Sequence, residues 1–141
     1  MLVYMPSMIL PPNTIIAAGP VIIEDGKVLL NREKKDYGIS PWFFPGGGAE
    51  TFDISLEEVC KREVKEEMGI DIEILRPLRT LMVKRKDDES YAILVHYLAK
   101  RMGEIAPGPD IVEWAWHHMH KLPPDCAQNV KEIISDYIKE L

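Results

Sequence analysis

The chain has 141 residues, of which 46% are hydrophobic and 28% charged, with a net charge of −6. That length supports one domain with its own core, and the composition is that of an ordinary globular protein. The acidic balance excludes nucleic-acid binding through a broad basic surface and requires cations to mediate any contact with polyphosphates.

Residues 1–13 contain Pro6, Pro11 and Pro12 and no basic leader, so they read as an N-terminal extension and not as a signal peptide or helix. A single domain is expected over residues 14–141. Thr14–Glu24 and Lys27–Arg32 read as two strands around Asp25-Gly26, a type I′ hairpin signal. Glu33–Ser40 is polar and reads as a loop. Phe44-Pro45-Gly46-Gly47-Gly48-Ala49-Glu50 follows, and its three glycines permit a close approach of backbone to ligand. Ser55 as N-cap and Glu58 at the third helical position form a capping box, and Gly69 is placed for a left-handed C-cap.

Between those caps stand Glu63, Glu66 and Glu67, at i, i+3 and i+4. With about 100° per residue and Glu63 at zero, Leu56, Val59, Cys60, Glu66 and Glu67 fall within about 60° of it, while Glu58, Lys61 and Lys65 lie opposite. The carboxylates therefore continue the inward stripe, although a solvated acidic face is the commoner use of such a pattern. Clustered acids turned toward the protein need a cation, and oxygen ligands suit a hard divalent metal.

Further along, Asp71–Lys84 reads as strand, with Pro77 marking a bulge or edge. Asp87-Asp88-Glu89-Ser90 is a turn, Tyr91–Ala99 a returning strand, Gly103–Asp110 a loop and Ile111–Met119 a strand. Asp125 with Gln128 is read as a capping pair for a helix over Cys126–Leu141, whose Val130, Ile133, Ile134, Tyr137 and Ile138 recur at helical spacing. Mixed strands with two packed helices predict an α/β protein, an α/β/α sandwich on a mixed sheet. Cys60 and Cys126 read as free buried thiols. His117, His118 and His120 do not share a strand face and no Cys lies nearby, so zinc is disfavoured. Trp116 reads as core. No apolar run is long enough to span a membrane, and a cytoplasmic location is expected.

Gly47 with Arg62-Glu63-Val64-x-Glu66-Glu67-x-Gly69-Ile70 closely resembles the Nudix box, the signature of the Nudix hydrolases. The tail of that pattern matches at every specified position. The front half departs, because counting back from Arg62 the pattern's upstream Glu falls on Ile54. An inserted residue within Thr51–Ile54 restores the register and puts Asp53 in the place of the missing carboxylate. Trp42-Phe43-Phe44-Pro45 resembles the strand entering the family's glycine loop, and Glu113-Trp114-Ala115-Trp116 the strand before its closing helix.

The resemblance implies the Nudix sandwich and a Mg2+-dependent nucleotide pyrophosphohydrolase of MutT-like type, with Mn2+ as a substitute ion. It implies Glu63, Glu66, Glu67 and the Gly46 carbonyl as metal ligands. Glu63 is the first choice of general base, and Arg62 braces the loop against the helix. Gly47, Gly48, Tyr37, Trp42 and Glu113 are the candidate substrate contacts, Tyr37 and Trp42 for stacking on a base. The implied partner is a small nucleotide, and the resemblance leaves monomer and homodimer open. ADP-ribose and dinucleoside polyphosphates are the alternative substrates, although the proline that marks ADP-ribose subfamilies is absent from Val83–Asp87. A non-catalytic nucleotide-sensing module is the alternative of another class, and the retained acids argue against it.

Overall fold

The computed structural model describes residue 10, residues 12–85 and residues 90–141. Most of the expected N-terminal extension and the expected turn over 87–89 lie outside these residues. Strands β1 (Ile15–Glu24) and β2 (Lys27–Lys35) form the expected hairpin. Asp25 at φ 51° and Gly26 at φ 75° supply the two left-handed residues of a type I′ turn. β2 does not stop at Arg32. Glu33 and Lys35 are strand residues, and the expected loop shrinks to a turn before the two-residue β3 (Gly38–Ile39).

The glycine loop contributes β4 (Gly47–Gly48), which pairs antiparallel with Ala17 and Ala18 of β1. Helix α1 spans Leu56–Met68. The long Asp71–Lys84 stretch divides into β5 (Asp71–Pro77) and β6 (Leu81–Lys84), both antiparallel to β7 (Tyr91–Met102). The register of β5 slips between Ile74 and Arg76, which places a bulge just ahead of Pro77. β8 (Ile111–His118) pairs with β2 along its length, and α2 (Gln128–Lys139) closes the chain. The Trp42–Pro45 stretch makes only isolated bridges, Phe43 to Asn31 and Trp42 to Cys126.

The sheet runs β3-β2-β1-β7-β5, with β1 and β7 parallel and the other pairs antiparallel. Period-two alternation sends Ala18, Ile22 and Leu29 to the α1 side, with Val59, Val64 and Met68. It sends Val21, Val28 and Leu30 to the α2 side, with Val130, Ile133 and Ile134. The result is a helix on each face of a mixed sheet. Cys60 and Cys126 are buried and free, and burial pushes the Cys60 thiol up to about 12. The expected Asp125–Gln128 cap is not formed: Ala127 is the N-cap of α2 and provides no side-chain bond. Among the described residues no helix is long and apolar enough to cross a membrane.

Candidate active site

Helix α1 is held at both ends. The Ser55 hydroxyl accepts from the Glu58 N–H at 3.1 Å, and Gly69 at φ 70° donates to the Lys65 carbonyl. The loop after β7 extends that closure, with Ala106 N–H on the Met68 carbonyl and Gly108 N–H on the Glu67 carbonyl, each at 2.8 Å. These contacts fix the last turn, which carries Glu66 and Glu67. Val64 and Met68 are fully buried, so the inward face of α1 is centred beyond Glu63 and the acids occupy its edge. The Glu66 side chain stands at the rim, 60% exposed, while that of Glu63 is 15% exposed.

Arg62 ties this helix to the loop before it. Its Nε and Nη2 bond the two oxygens of Asp53 at 3.0 and 2.7 Å, and Nη2 also donates to the Gly48 carbonyl at 3.1 Å. Nη1 donates to Glu63 at 2.9 Å and lies 3.5 Å from Glu66. The Phe52 ring stacks on the guanidinium at 5.1 Å. Asp53 also accepts from the Glu50 N–H at 2.8 Å. The Arg62 bonds, with that N–H, hold the Asp53 carboxyl below its ordinary value. Asp53 thus performs the bracing that the pattern assigns to an upstream Glu, and Ile54, 90% exposed, faces solvent.

The glycine loop lies against the acids. Gly46, at φ 147°, donates its N–H to Glu67 Oε2 at 3.1 Å. A Cβ on Gly47 would collide with the Glu63 carboxylate, so only glycine lets loop and acid touch here. Together they enclose a cavity of about 350 Å³ lined by Glu33, Lys35, Gly46–Gly48, Glu63, Glu66 and Glu67. A second, more apolar cavity of about 270 Å³ shares Glu33, Lys35 and the glycines with it.

Burial and the adjacent Glu33 carboxyl push Glu67 up to about 9, against the opposing bonds from Gly46 and Asn31. Burial likewise raises Glu63, which Arg62 only partly offsets. Among the described residues no three acidic, His or Cys side chains are gathered as a ready-made cage. The donor set nevertheless fits a hard divalent cation. Several carboxyl oxygens line one cavity, and burial beside Glu33 raises Glu67, a charge penalty that a cation there would relieve.

Not every expected contact reaches this cavity. Tyr37 is 71% exposed and lines neither cavity. Trp42 is buried in the α2-side core, edge-on to His117 at 4.5 Å, because its backbone bonds Asp125 and Ala127 ahead of α2. Glu113 lies outside the cavity and faces Arg32 across the β2–β8 pair at 3.9 Å. Trp116 packs against the α1-side core, as expected.

Conversely, Glu33, Lys35 and Asn31 were not singled out by the motif. Their signal is strand alternation: Leu29, Asn31, Glu33 and Lys35 share one face of β2, which passes from core into the cavity. Asn31 is fully buried and donates to Glu67 at 3.3 Å, and Lys35 pairs with Glu33 at 2.6 Å.

A family model for the NUDIX domain matches residues 13–137. An ADP-ribose pyrophosphatase of Methanocaldococcus jannaschii is 27% identical over 125 residues, covering 88% of this chain and 73% of that one. The nucleoside triphosphatase NudI of an Enterobacter species is 39% identical over 57 residues, which is 39% of this chain and only 40% of that protein. Among solved structures, a MutT NUDIX hydrolase from Burkholderia pseudomallei superposes with a TM-score of 0.78 at 22% identity, covering 87% of this chain and 97% of that one. A NUDIX hydrolase from Nitrosomonas europaea gives 0.79 at 20% identity, over 91% and 90%. At such identities these two likenesses speak for the fold.

Proposed function

The chain belongs to the Nudix hydrolase family, and from that premise we propose that it hydrolyses a diphosphate bond in a nucleoside diphosphate linked to a further group, with a nucleoside triphosphate as the leading substrate. The observation that carries this reading is the gathering of Glu63, Glu66 and Glu67 around one cavity with the glycine loop, whose Gly46 N–H bonds Glu67. Glu63, Glu66 and Glu67, with the Gly46 carbonyl, are the proposed ligands of a divalent cation, Mg2+ in the first place and Mn2+ as substitute. Such an ion, when bound, neutralises phosphate charge and orients water for in-line attack.

The remaining roles belong to side chains. Glu63, with one oxygen held by Arg62 and the other against Gly47, accepts the proton of the attacking water. Burial makes it a stronger base than an exposed carboxylate. The water oxygen bonds to phosphorus, the bridging P–O bond breaks, and the bridging oxygen leaves on the second phosphate with its electron pair. From a nucleoside triphosphate the products are a nucleoside monophosphate and pyrophosphate. Lys35, where the two cavities meet, faces the phosphate chain with positive charge. Arg62 keeps helix and loop in register and does not touch substrate.

ADP-ribose is the second reading. It is favoured by the ADP-ribose pyrophosphatase relative, matched over most of this chain, whereas the nucleoside triphosphatase relative is matched over 39% of it. Phosphate release, coupled to added pyrophosphatase or phosphatase, from nucleoside triphosphates, ADP-ribose, nucleotide sugars and dinucleoside polyphosphates, with and without Mg2+, tests both. Metal-dependent turnover of triphosphates alone selects the first reading and of ADP-ribose alone the second. No turnover of any of them sinks the hydrolase.

A further inference from the structure

Strand β2 runs through the core with Val28, Leu29 and Leu30, all fully buried, and the next residue, Asn31, is as deeply buried although it is polar. Its backbone is held on both sides. It exchanges two 2.9 Å bonds with Phe43, on the stretch that enters the glycine loop, and lies opposite Trp114 of β8. Alternation along the strand puts its side chain on the α1 side with Leu29. There Nδ2 donates to Glu67 Oε2 at 3.3 Å and to Met68 Sδ at 3.6 Å.

The amide is only half satisfied. An ionised carboxylate and a thioether accept and do not donate, so the NH2 end faces them and Oδ1 faces away. Oδ1 has no hydrogen-bond partner among the described residues. The buried Ser40 hydroxyl and His96 ring, by contrast, have theirs. A buried acceptor without a donor destabilises a fold. Leucine branches at the same atom and would remove that penalty among neighbours that are already apolar. The amide therefore works against stability, and its compensation has to lie in what it bonds.

What it bonds is the buried member of the acidic trio. The Gly46 N–H and the Asn31 NH2 group converge on one oxygen of Glu67, Oε2, from two separate elements. Glu33, the next residue along the same face of β2, lines the acidic cavity and Asn31 does not, so Asn31 reaches Glu67 from the core side. Resting on the hydrolase reading above, we infer that Asn31 is a positioning residue for metal binding: with Gly46 it locks Oε2 so that Glu67 turns Oε1 to a divalent cation. Partners behind a ligand fix its orientation and so its affinity for the ion. The residue lies outside the signature box, on the strand that also carries Glu33 and Lys35 to the cavity.

The test uses the intact protein without nucleotide, with Mn2+ binding followed by electron paramagnetic resonance and thermal melts recorded free of metal. Asn31→Leu should weaken Mn2+ binding about tenfold to a hundredfold while melting no lower than the wild type. Asn31→Val, smaller and suited to a strand, makes the same deletion without crowding Met68. Met68→Leu removes the sulfur contact alone and should leave Mn2+ affinity unchanged. The deciding comparison is a cycle with Glu67→Gln. Because Asn31 acts through Glu67, its replacement should cost affinity in the wild-type background and little in the Glu67→Gln background. Equal losses in both backgrounds overturn the inference, and so does wild-type affinity in both Asn31 variants. A loss of affinity matched in both by a lower melting temperature marks a packing role and also overturns it. Mn2+ binding that depends on Asn31, with no hydrolysis of any nucleotide, sinks the hydrolase reading and keeps this one. Hydrolysis with Mn2+ affinity indifferent to Asn31 does the opposite.

Discussion

Arg62 grips Asp53 with two parallel bonds, Nε to Oδ1 at 3.0 Å and Nη2 to Oδ2 at 2.7 Å, and so closes the loop that precedes α1 onto the helix. The fork is saturated, because its other nitrogen serves Glu63 and Nη2 also reaches the Gly48 carbonyl. Two substitutions separate this brace from the motif position it replaces. Asp53→Ala leaves the guanidinium without its bidentate partner, so the melting temperature and turnover should both fall. Ile54→Glu adds a carboxylate at an exposed site that Arg62 has no free arm to meet, and stability should move by less than about 0.5 kcal/mol. Thermal melts and initial rates of the two variants check the pair. Collapse of Ile54→Glu would show that the loop closes differently.

The two glycines of the loop should fail in different ways. A Cβ on Gly46 meets the Ala18 carbonyl and the Gly19 backbone at 2.5 and 2.7 Å, at a left-handed φ. Gly46→Ala should therefore destabilise the fold by more than about 1 kcal/mol. The three atoms nearest a Cβ on Gly47 all belong to the end of the Glu63 side chain, which can rotate away. Gly47→Ala should melt near the wild-type temperature while losing most turnover, because the displaced acid is the proposed base. Denaturant titration beside kinetics separates the two, and equal losses of stability would refute the assignment.

How much of this was legible beforehand follows from what each residue contacts. The hairpin, both ends of α1 and the three acids are written in local signals: Asp25-Gly26, Ser55 with Glu58, Gly69, and the i, i+3, i+4 spacing. Asp53 was legible only as an alternative alignment, since a brace is defined by the partner it reaches. Glu33 and Lys35 were hidden because their polarity imitates a loop, whereas β8 pairs with β2 as far as Glu33 and β3 pairs with Lys35, which makes both strand. Trp42 and Tyr37 were assigned by nearness in sequence to the loop. Trp42 is instead claimed by the bridge to Cys126 ahead of α2, a contact no local pattern encodes.

Glu66→Gln and Glu67→Gln should each lower turnover by about a hundredfold or more, since a neutral amide is a weak ligand for a hard cation. Their effects on the metal-free fold should differ. Glu66 is largely exposed, so its replacement should leave the melting temperature unchanged. Glu67 accepts from Gly46 and Asn31 and sits beside Glu33, so an amide there must rearrange those bonds. Manganese binding followed by electron paramagnetic resonance checks the metal role independently of turnover. Wild-type affinity in both variants would remove these residues from the proposed ligand set.

The buried imidazoles predict how stability depends on pH. Burial holds His96 and, to a lesser degree of enclosure, His117 below the ordinary value of 6.5. The unfolded chain takes up these protons near 6.5 while the folded chain refuses them. Below that pH the unfolded imidazoles bind more protons than the folded ones, so their contribution to stability falls as pH falls. Above it both states are neutral and the contribution is complete. The imidazole contribution to the melting temperature should therefore drop between about pH 7 and about pH 5, while Glu67, raised by burial and Glu33, contributes in the opposite sense and stabilises more as pH falls. His96→Gln removes one of the two groups and should flatten that slope while keeping a partner for Asn129 and Arg79. A variant whose melting temperature tracks the wild type across this window would show that His96 takes up its proton as readily folded as unfolded, and its bonds to Arg79 and Asn129 would then have to be redrawn.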